Sequence, residues 1–168
     1  YYRSFEPPVK IIRPFNTFGP RQSLRAVIPT IITQAINHNI IEIGNINTSR
    51  DLTFVTDTCD AFYKILKSDK LFGEVVNVGS DNDISIKDII EKVSKILDKK
   101  ITIKKSFSRW RPIKSEVFRL RCDNKKILKY TNWKPKFSGK NGFDNGLSQT
   151  IEWFKNNKQF NKEKKYYV

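Results

Sequence analysis

The chain has 168 residues, 38% of them hydrophobic and 12% aromatic, which suits one folded domain, with room for a small second lobe, and favours a folded globule over a disordered chain. Lys and Arg outnumber Asp and Glu 32 to 17; a net charge of +15 can mean nucleic acid, an anionic membrane surface or a phosphorylated small molecule as partner, but the Lys runs at element ends and in the tail read mostly as solvated surface charge. No apolar run approaches the ~20 residues that span a bilayer, and no apolar core of a secretory signal is visible; the two Cys, Cys59 and Cys122, lack ligand spacing and read as reduced thiols of a cytoplasmic protein rather than a zinc site.

Residues 1–5 read as the end of a helix, Glu6-Pro7-Pro8 as a breaker, and 9–13 as a short buried strand. The strand runs into RPFNTFGPRQ, Arg13 to Gln22, a loop at a strand exit, where open α/β sheets place their ligands. Val27, Ile28, Ile31, Ile32, Ala35 and Ile36 recur at helical spacing within 25–37. Short strands follow at 40–43 and 51–55, with a polar turn between them. Asp57 reads as the N-cap of a helix running to Lys67.

Residues 74–78 form the next strand, and Ser85 caps a helix with Ile86, Ile89, Ile90, Val93, Ile96 and Leu97 on one face. A strand at 101–104 precedes an Arg- and Pro-rich loop, 106–115. A helix begins near Asp123, a last one runs from about Asp144 to Asn157, and 158–168 is a polar tail. Strands alternating with helices predict an α/β fold. The strands at 9–13 and 74–78 look isolated, so residues 1–157 read as a single incomplete unit. Those two strands belong to a partial parallel sheet, and about 24–55 and 84–140 form a small α/β substrate-binding lobe.

Several side chains are candidates for a site. Asn16, directly after the first strand, offers both a donor and an acceptor to a ligand, or else bonds its own turn. Arg50 and Arg111 come from distant segments, and two guanidinium groups suit a diphosphate better than Lys does. The alternative is a pair of surface ion pairs, Arg50 with Asp51 or Glu42 and Arg111 with Glu116. Tyr63-Lys67 and Tyr130-Lys134 match YxxxK but read as helix packing and a helix end; GKNGFDNG, 139–146, reads as a loop and helix start, not a dinucleotide site.

RPFNTFGPRQSLRAVIPTIITQAI (13–36), TSRDLTFVTDTCDAF (48–62), VVNVGSDNDISIKDII (75–90), RPIKSEVFRLRCDNKKIL (111–128) and WKP (133–135) together resemble the extended short-chain dehydrogenases that modify nucleotide sugars. Within them the likeness is nearest to NAD-dependent UDP-N-acetylglucosamine 4,6-dehydratases of the legionaminic-acid type, with 4-epimerases as relatives. The resemblance implies the carboxy-terminal part of a Rossmann-like enzyme. Asn16, Ala26, Val27, Ile41, Ile43, Arg50, Arg111 and Glu116 would bind the nucleotide sugar, and Pro14 and Phe15 would lie beside the nicotinamide.

It also implies that the Gly-rich NAD loop and the catalytic YxxxK pair lie upstream, in the same or a separate chain. This chain alone would then neither hold NAD nor catalyse, and the parent would be a homodimer. In that parent, NAD takes hydride from C4 of the sugar, water leaves across C5–C6, and hydride returns to C6. Leu52, where relatives often carry an aromatic, leaves the base contacts open. Two other readings compete: a basic module for nucleic acid, which the lack of aromatics interleaved with Lys disfavours, and a truncation with no independent function.

Overall fold

The computed structural model describes residues 2–106 and 113–157. Its elements run α1 (Tyr2–Phe5), β1 (Ile11–Pro14), β2 (Asn16–Phe18), α2 (Val27–Asn37), β3 (Ile40–Ile43), β4 (Ser49–Phe54), α3 (Val55–Lys67), β5 (Val75–Val78), β6 (Asp83–Ser85), α4 (Ile86–Leu97), β7 (Thr102–Lys105), a 3₁₀ turn (Ile113–Ser115), β8 (Arg119–Leu120), α5 (Lys125–Tyr130) and α6 (Gly139–Asn156). The fold is α/β and Rossmann-like, with mostly parallel pairing. β1 pairs with β5, β3 with β7, and β4 with both β2 and β8, all parallel, while β6 runs antiparallel to β4.

β1 and β5 are therefore partners rather than isolated strands. Nor is β1 buried: Ile11 is 49% exposed, and only Ile12 packs inward, because β5 is its only described neighbour in the sheet. β2, β6 and β8, none predicted, have two or three residues each. They are strands by pairing with β4 rather than by any pattern of their own.

Two apolar clusters hold these pieces. α2, α4 and α6 pack over β2, β3 and β4 through Phe18, Ile31, Ile32, Phe54, Ile89 and Leu147, among others. A smaller cluster joins α3, α5 and β5 through Ala61, Ile65, Val76, Val78, Ile127 and Trp133. The clusters do not respect the predicted lobe limits of 24–55 and 84–140. Ile127 and Trp133 side with β5, whereas Phe143 to Phe154 side with α2 and α4.

α4 forms as its sequence dictates. Ser85 Oγ accepts from the Asp88 amide at 3.0 Å and donates to the Asp88 carboxylate at 2.6 Å, while Ile86, Ile89, Ile90 and Val93 are buried. α6 begins five residues before its expected start, with three glycines inside it. Gly146 explains why a helix tolerates them: a Cβ there would sit 3.0 Å from the Phe54 ring and 3.3 Å from Phe18. Among the described residues no helix is long and apolar enough to cross a membrane.

Asp57 does not cap α3. Phe54 is the N-cap residue, and Asp57 lies buried in the first turn, accepting the Lys136 amide at 3.0 Å and the Phe137 amide at 2.8 Å. The Trp133 indole N–H donates to the Asp57 carbonyl at 3.0 Å, so one residue anchors the whole approach to α6. In Asp57→Asn the amide group faces one of these N–H donors. The variant should lose about 1–3 kcal/mol in urea denaturation, with the slope of the transition unchanged.

Asp83 is a second tie. Its carboxylate accepts from Ser49 Oγ at 2.7 Å and from Arg119 Nε and Nη2 at 3.0 and 2.8 Å, joining β4, β6 and β8. The Arg119 and Ser49 hydrogen bonds hold its pKa below the usual carboxylate value. A depressed folded-state pKa gives stability that is full above about pH 4 and is lost as pH falls through the folded value. The gap in urea midpoint between the parent chain and Asp83→Asn should accordingly be widest near pH 7 and shrink towards pH 3.

Candidate functional site

The N-terminus of α2, the start of β2, the end of β3, the start of β4, and the segment before β8 surround a cleft of about 520 Å³. Arg50 enters it from β4, a strand fixed by partners along its length. Its Nη2 stands 3.4 Å from Glu116 Oε1, with side chains only 16% and 11% exposed, and its Nη1 donates to the Ser49 carbonyl at 2.8 Å. Neither expected surface pairing of Arg50 occurs. Asp51 is turned fully inward, and Glu42 pairs with Lys104 at 2.6 Å. Glu116 meets Arg50; its expected neighbour Arg111 lies outside the described residues.

Across the cleft, α2 starts without a side-chain cap: Ala26 is extended, and Pro29, third in the helix, has no N–H. The Thr30 amide returns to the Ala26 carbonyl at 3.0 Å. That leaves the first-turn amides of Val27 and Ile28 at a helix end that favours negative charge. Arg25, exposed beside them, adds a cation to the rim. The cleft thus faces a guanidinium and a helix N-terminus towards one space, with a carboxylate alongside. Such a set can hold an oxyanion and accept from hydroxyl groups.

Of the predicted site residues, the structure brings Asn16, Ala26, Val27, Ile43, Arg50 and Glu116 into this one cleft. Ile41 is not among them: it is 0% exposed inside the larger apolar cluster, and only Ile43, at the strand's end, reaches the cleft. Pro14 and Phe15 sit at the end of β1, where the Phe15 amide donates to the Val78 carbonyl at 2.8 Å, and they do not line the cleft. Arg111 lies outside the described residues.

Gln22, Thr17 and Thr48 line the cleft without having been singled out. Gln22 folds back after Arg21, which has φ of 66°, and its Nε2 donates to the Thr17 carbonyl at 2.7 Å, while its buried Oε1 has no partner among the described residues. Its place at the end of RPFNTFGPRQ was the available signal.

The other motifs stay apart from the cleft. Tyr63 is 59% exposed on α3 with Lys67 over its ring at 5.9 Å. Packing explains Ala61 and Ile65 but not Phe62 and Leu66, which are 42% and 72% exposed. Tyr130 and Lys134 belong to the surface around α5. The glycines of 139–146 lie in α6, after no strand, and Gly146 serves packing, so the described residues do not fit the pyrophosphate of a dinucleotide cofactor. No group of three or more His, Cys, Asp or Glu among the described residues could hold a metal.

A protein-family model described as GDP-mannose 4,6 dehydratase matches residues 1–146. The chain is 28% identical over 167 residues to the dTDP-glucose 4,6-dehydratase of Escherichia coli, covering 94% of this chain and 45% of that protein. Among solved structures, the Bacillus anthracis dTDP-glucose 4,6-dehydratase in complex with NAD superposes with a TM-score of 0.80 at 26% identity, covering 95% of this chain and 48% of that one. The UDP-glucuronic acid 4-epimerase of Bacillus cereus, in complex with UDP-glucuronic acid and NAD, gives a TM-score of 0.80 at 26% identity, covering 93% and 48%. The chain spans about half the length of the curated relatives it matches.

The two cysteines differ in reactivity for physical reasons. Cys59 is exposed, whereas burial first, and then the nearby carboxylates of Asp51, Asp81 and Asp123, push the Cys122 thiol up to about 12. A disulfide reagent at pH 8 should modify one thiol per folded chain and two after denaturation.

Proposed function

The chain belongs to the GDP-mannose 4,6 dehydratase family, and on that premise we propose that its cleft grips the diphosphate of a nucleotide sugar for an NAD-dependent 4,6-dehydratase. The observation that carries this reading is the half-buried Arg50–Glu116 pair facing the uncapped start of α2. Arg50 has five N–H donors and makes two described bonds, so donors remain for phosphate oxygens. The first-turn amides of Val27 and Ile28 would meet the same anion, and Glu116 would accept from the ribose hydroxyls. Asn16, Ala26 and Ile43 would contact the remainder of the nucleotide sugar, and Arg111 would bring a second guanidinium. The resemblance of residues 13–36, 48–62 and 75–90 supports a UDP-linked N-acetylglucosamine as substrate.

NAD, bound in solved relatives, would supply the hydride acceptor; no described residue forms a cradle for its pyrophosphate, and no hydride step is assigned to them. In this reading the redox and acid–base groups come from another stretch of polypeptide, in the same or a partner chain, with Pro14 and Phe15 on that side. The exposure of Phe62 and Leu66, one turn apart on α3, at 42% and 72% supports such a covering partner, since grouped apolar exposure marks a docking face.

Calorimetric titration of the chain with UDP, UMP and uridine tests the reading. UDP should bind more tightly than UMP, and Arg50→Ala should weaken UDP by roughly 10- to 100-fold, the scale of lost hydrogen bonds to a charged group. Glu116→Gln should reduce the preference for UDP over its 2′,3′-dideoxy analogue. Equal affinity for UDP and uridine in the parent chain would overturn the proposal.

A further inference from the structure

Asp51 follows Arg50 directly, yet its side chain is 0% exposed and turned away from the cleft. One carboxylate oxygen accepts both the Ser80 amide and the Ser80 hydroxyl at 2.8 Å. The other accepts the Cys122 amide at 3.1 Å. Among the described residues no Lys or Arg forms an ion pair with it, and its register partner on β6 is another acid, Asp83. A buried carboxylate without a cation carries a large desolvation cost, against which its three hydrogen bonds are set. Stability alone is therefore a weak reason for an acid here.

Its partners suggest another reason. Cys122 lies two residues beyond β8, whose Leu120 sits opposite Arg50. On the other side of Arg50, the Ser49 amide donates to the Phe118 carbonyl at 2.8 Å. Segment 118–122 is thus clamped to β4 on both sides of Arg50, and Glu116, two residues upstream of the clamp, is carried to within 3.4 Å of the guanidinium. The clamp is tight: a Cβ at Gly79 would lie 2.3 Å from Cys122 Cβ and 3.1 Å from Asp51 Oδ2, so only glycine lets the three segments meet.

We infer that Asp51 is a positioning residue for diphosphate recognition, setting the placement of Arg50 and Glu116 without touching the ligand. The inference rests on the proposed diphosphate reading of the cleft and names a residue on which that reading depends.

The test compares UDP with UMP on the 168-residue chain, at temperatures where each variant is folded by circular dichroism. The readout is the ratio of the two affinities, which a loss of stability alone does not move. Asp51→Asn keeps size and shape but points an amide N–H₂ at one set of backbone donors, and it should lower the UDP-over-UMP ratio by about tenfold. Ser80→Ala removes one of three donors and should lower it about threefold; it decides the matter if Asp51→Asn does not fold. Asp57→Asn, a loss of a similar clamp away from Arg50, should leave the ratio unchanged. A parent chain with no preference for UDP over UMP would overturn the diphosphate reading itself. A parent preference that survives in folded Asp51→Asn, or in Ser80→Ala where Asp51→Asn does not fold, would overturn the positioning role alone, as would an equal fall in Asp57→Asn.

Discussion

Buried carboxylates that accept backbone amides from far along the chain hold this molecule in register. Asp51 binds segments 29 and 71 residues away, and Asp57 binds amides 79 and 80 residues away. The sheets are small, with two strands in two of them and β8 only two residues long, so ladder bonds alone supply few long-range ties. A carboxyl group with two oxygens can take several such amide donors at once. Each such acid joins an edge segment or a helix approach to β4 or to the first turn of α3. Local stiffness at the cleft follows from ties that lie behind it.

That arrangement also explains what could be read from the sequence. α2 and α4 were legible because their apolar residues repeat at helical spacing and one helix-deep face is buried. β2, β6 and β8 were not, since two or three residues carry no period. Asp57 was misread because an acid at the start of a helix has two uses: it can accept its own first-turn amides or those of a distant segment, and sequence position does not distinguish them. α6 was started too late because its glycines look like a loop; Gly146 is set by its closeness to Phe18 and Phe54.

The cleft was legible in a similar, partial way. Strand alternation puts Ile41 and Ile43 on one face, but only the residue at the strand's end can look out of the core. Arg50 could be picked out for its chemistry, yet its true neighbour, Glu116, is 66 residues away and comes near through the pairing of a two-residue strand. Gln22 lacked any signal beyond membership of the loop. Its Oε1, without a partner among the described residues, emerges only from the fold.

Charge separates the cleft from the rest of the surface. Lys104–Glu42, Lys126–Glu74 and Lys64–Asp60 are exposed pairs of the kind worth about 0–1 kcal/mol, readily rearranged by solvent and salt. Arg50–Glu116 is less exposed than these, and 3.4 Å is long for a charge-assisted bond. On the proposed reading, an anion arriving at Arg50 displaces little that is well made, while Glu116, left with spare acceptor capacity, would favour ligands that bring hydroxyl donors next to their negative charge. A bare phosphate meets the repulsion of that carboxylate without the compensating bonds. The overall excess of positive charge draws anions to the molecule, whereas on the proposed reading this one acid would set which of them the cleft keeps.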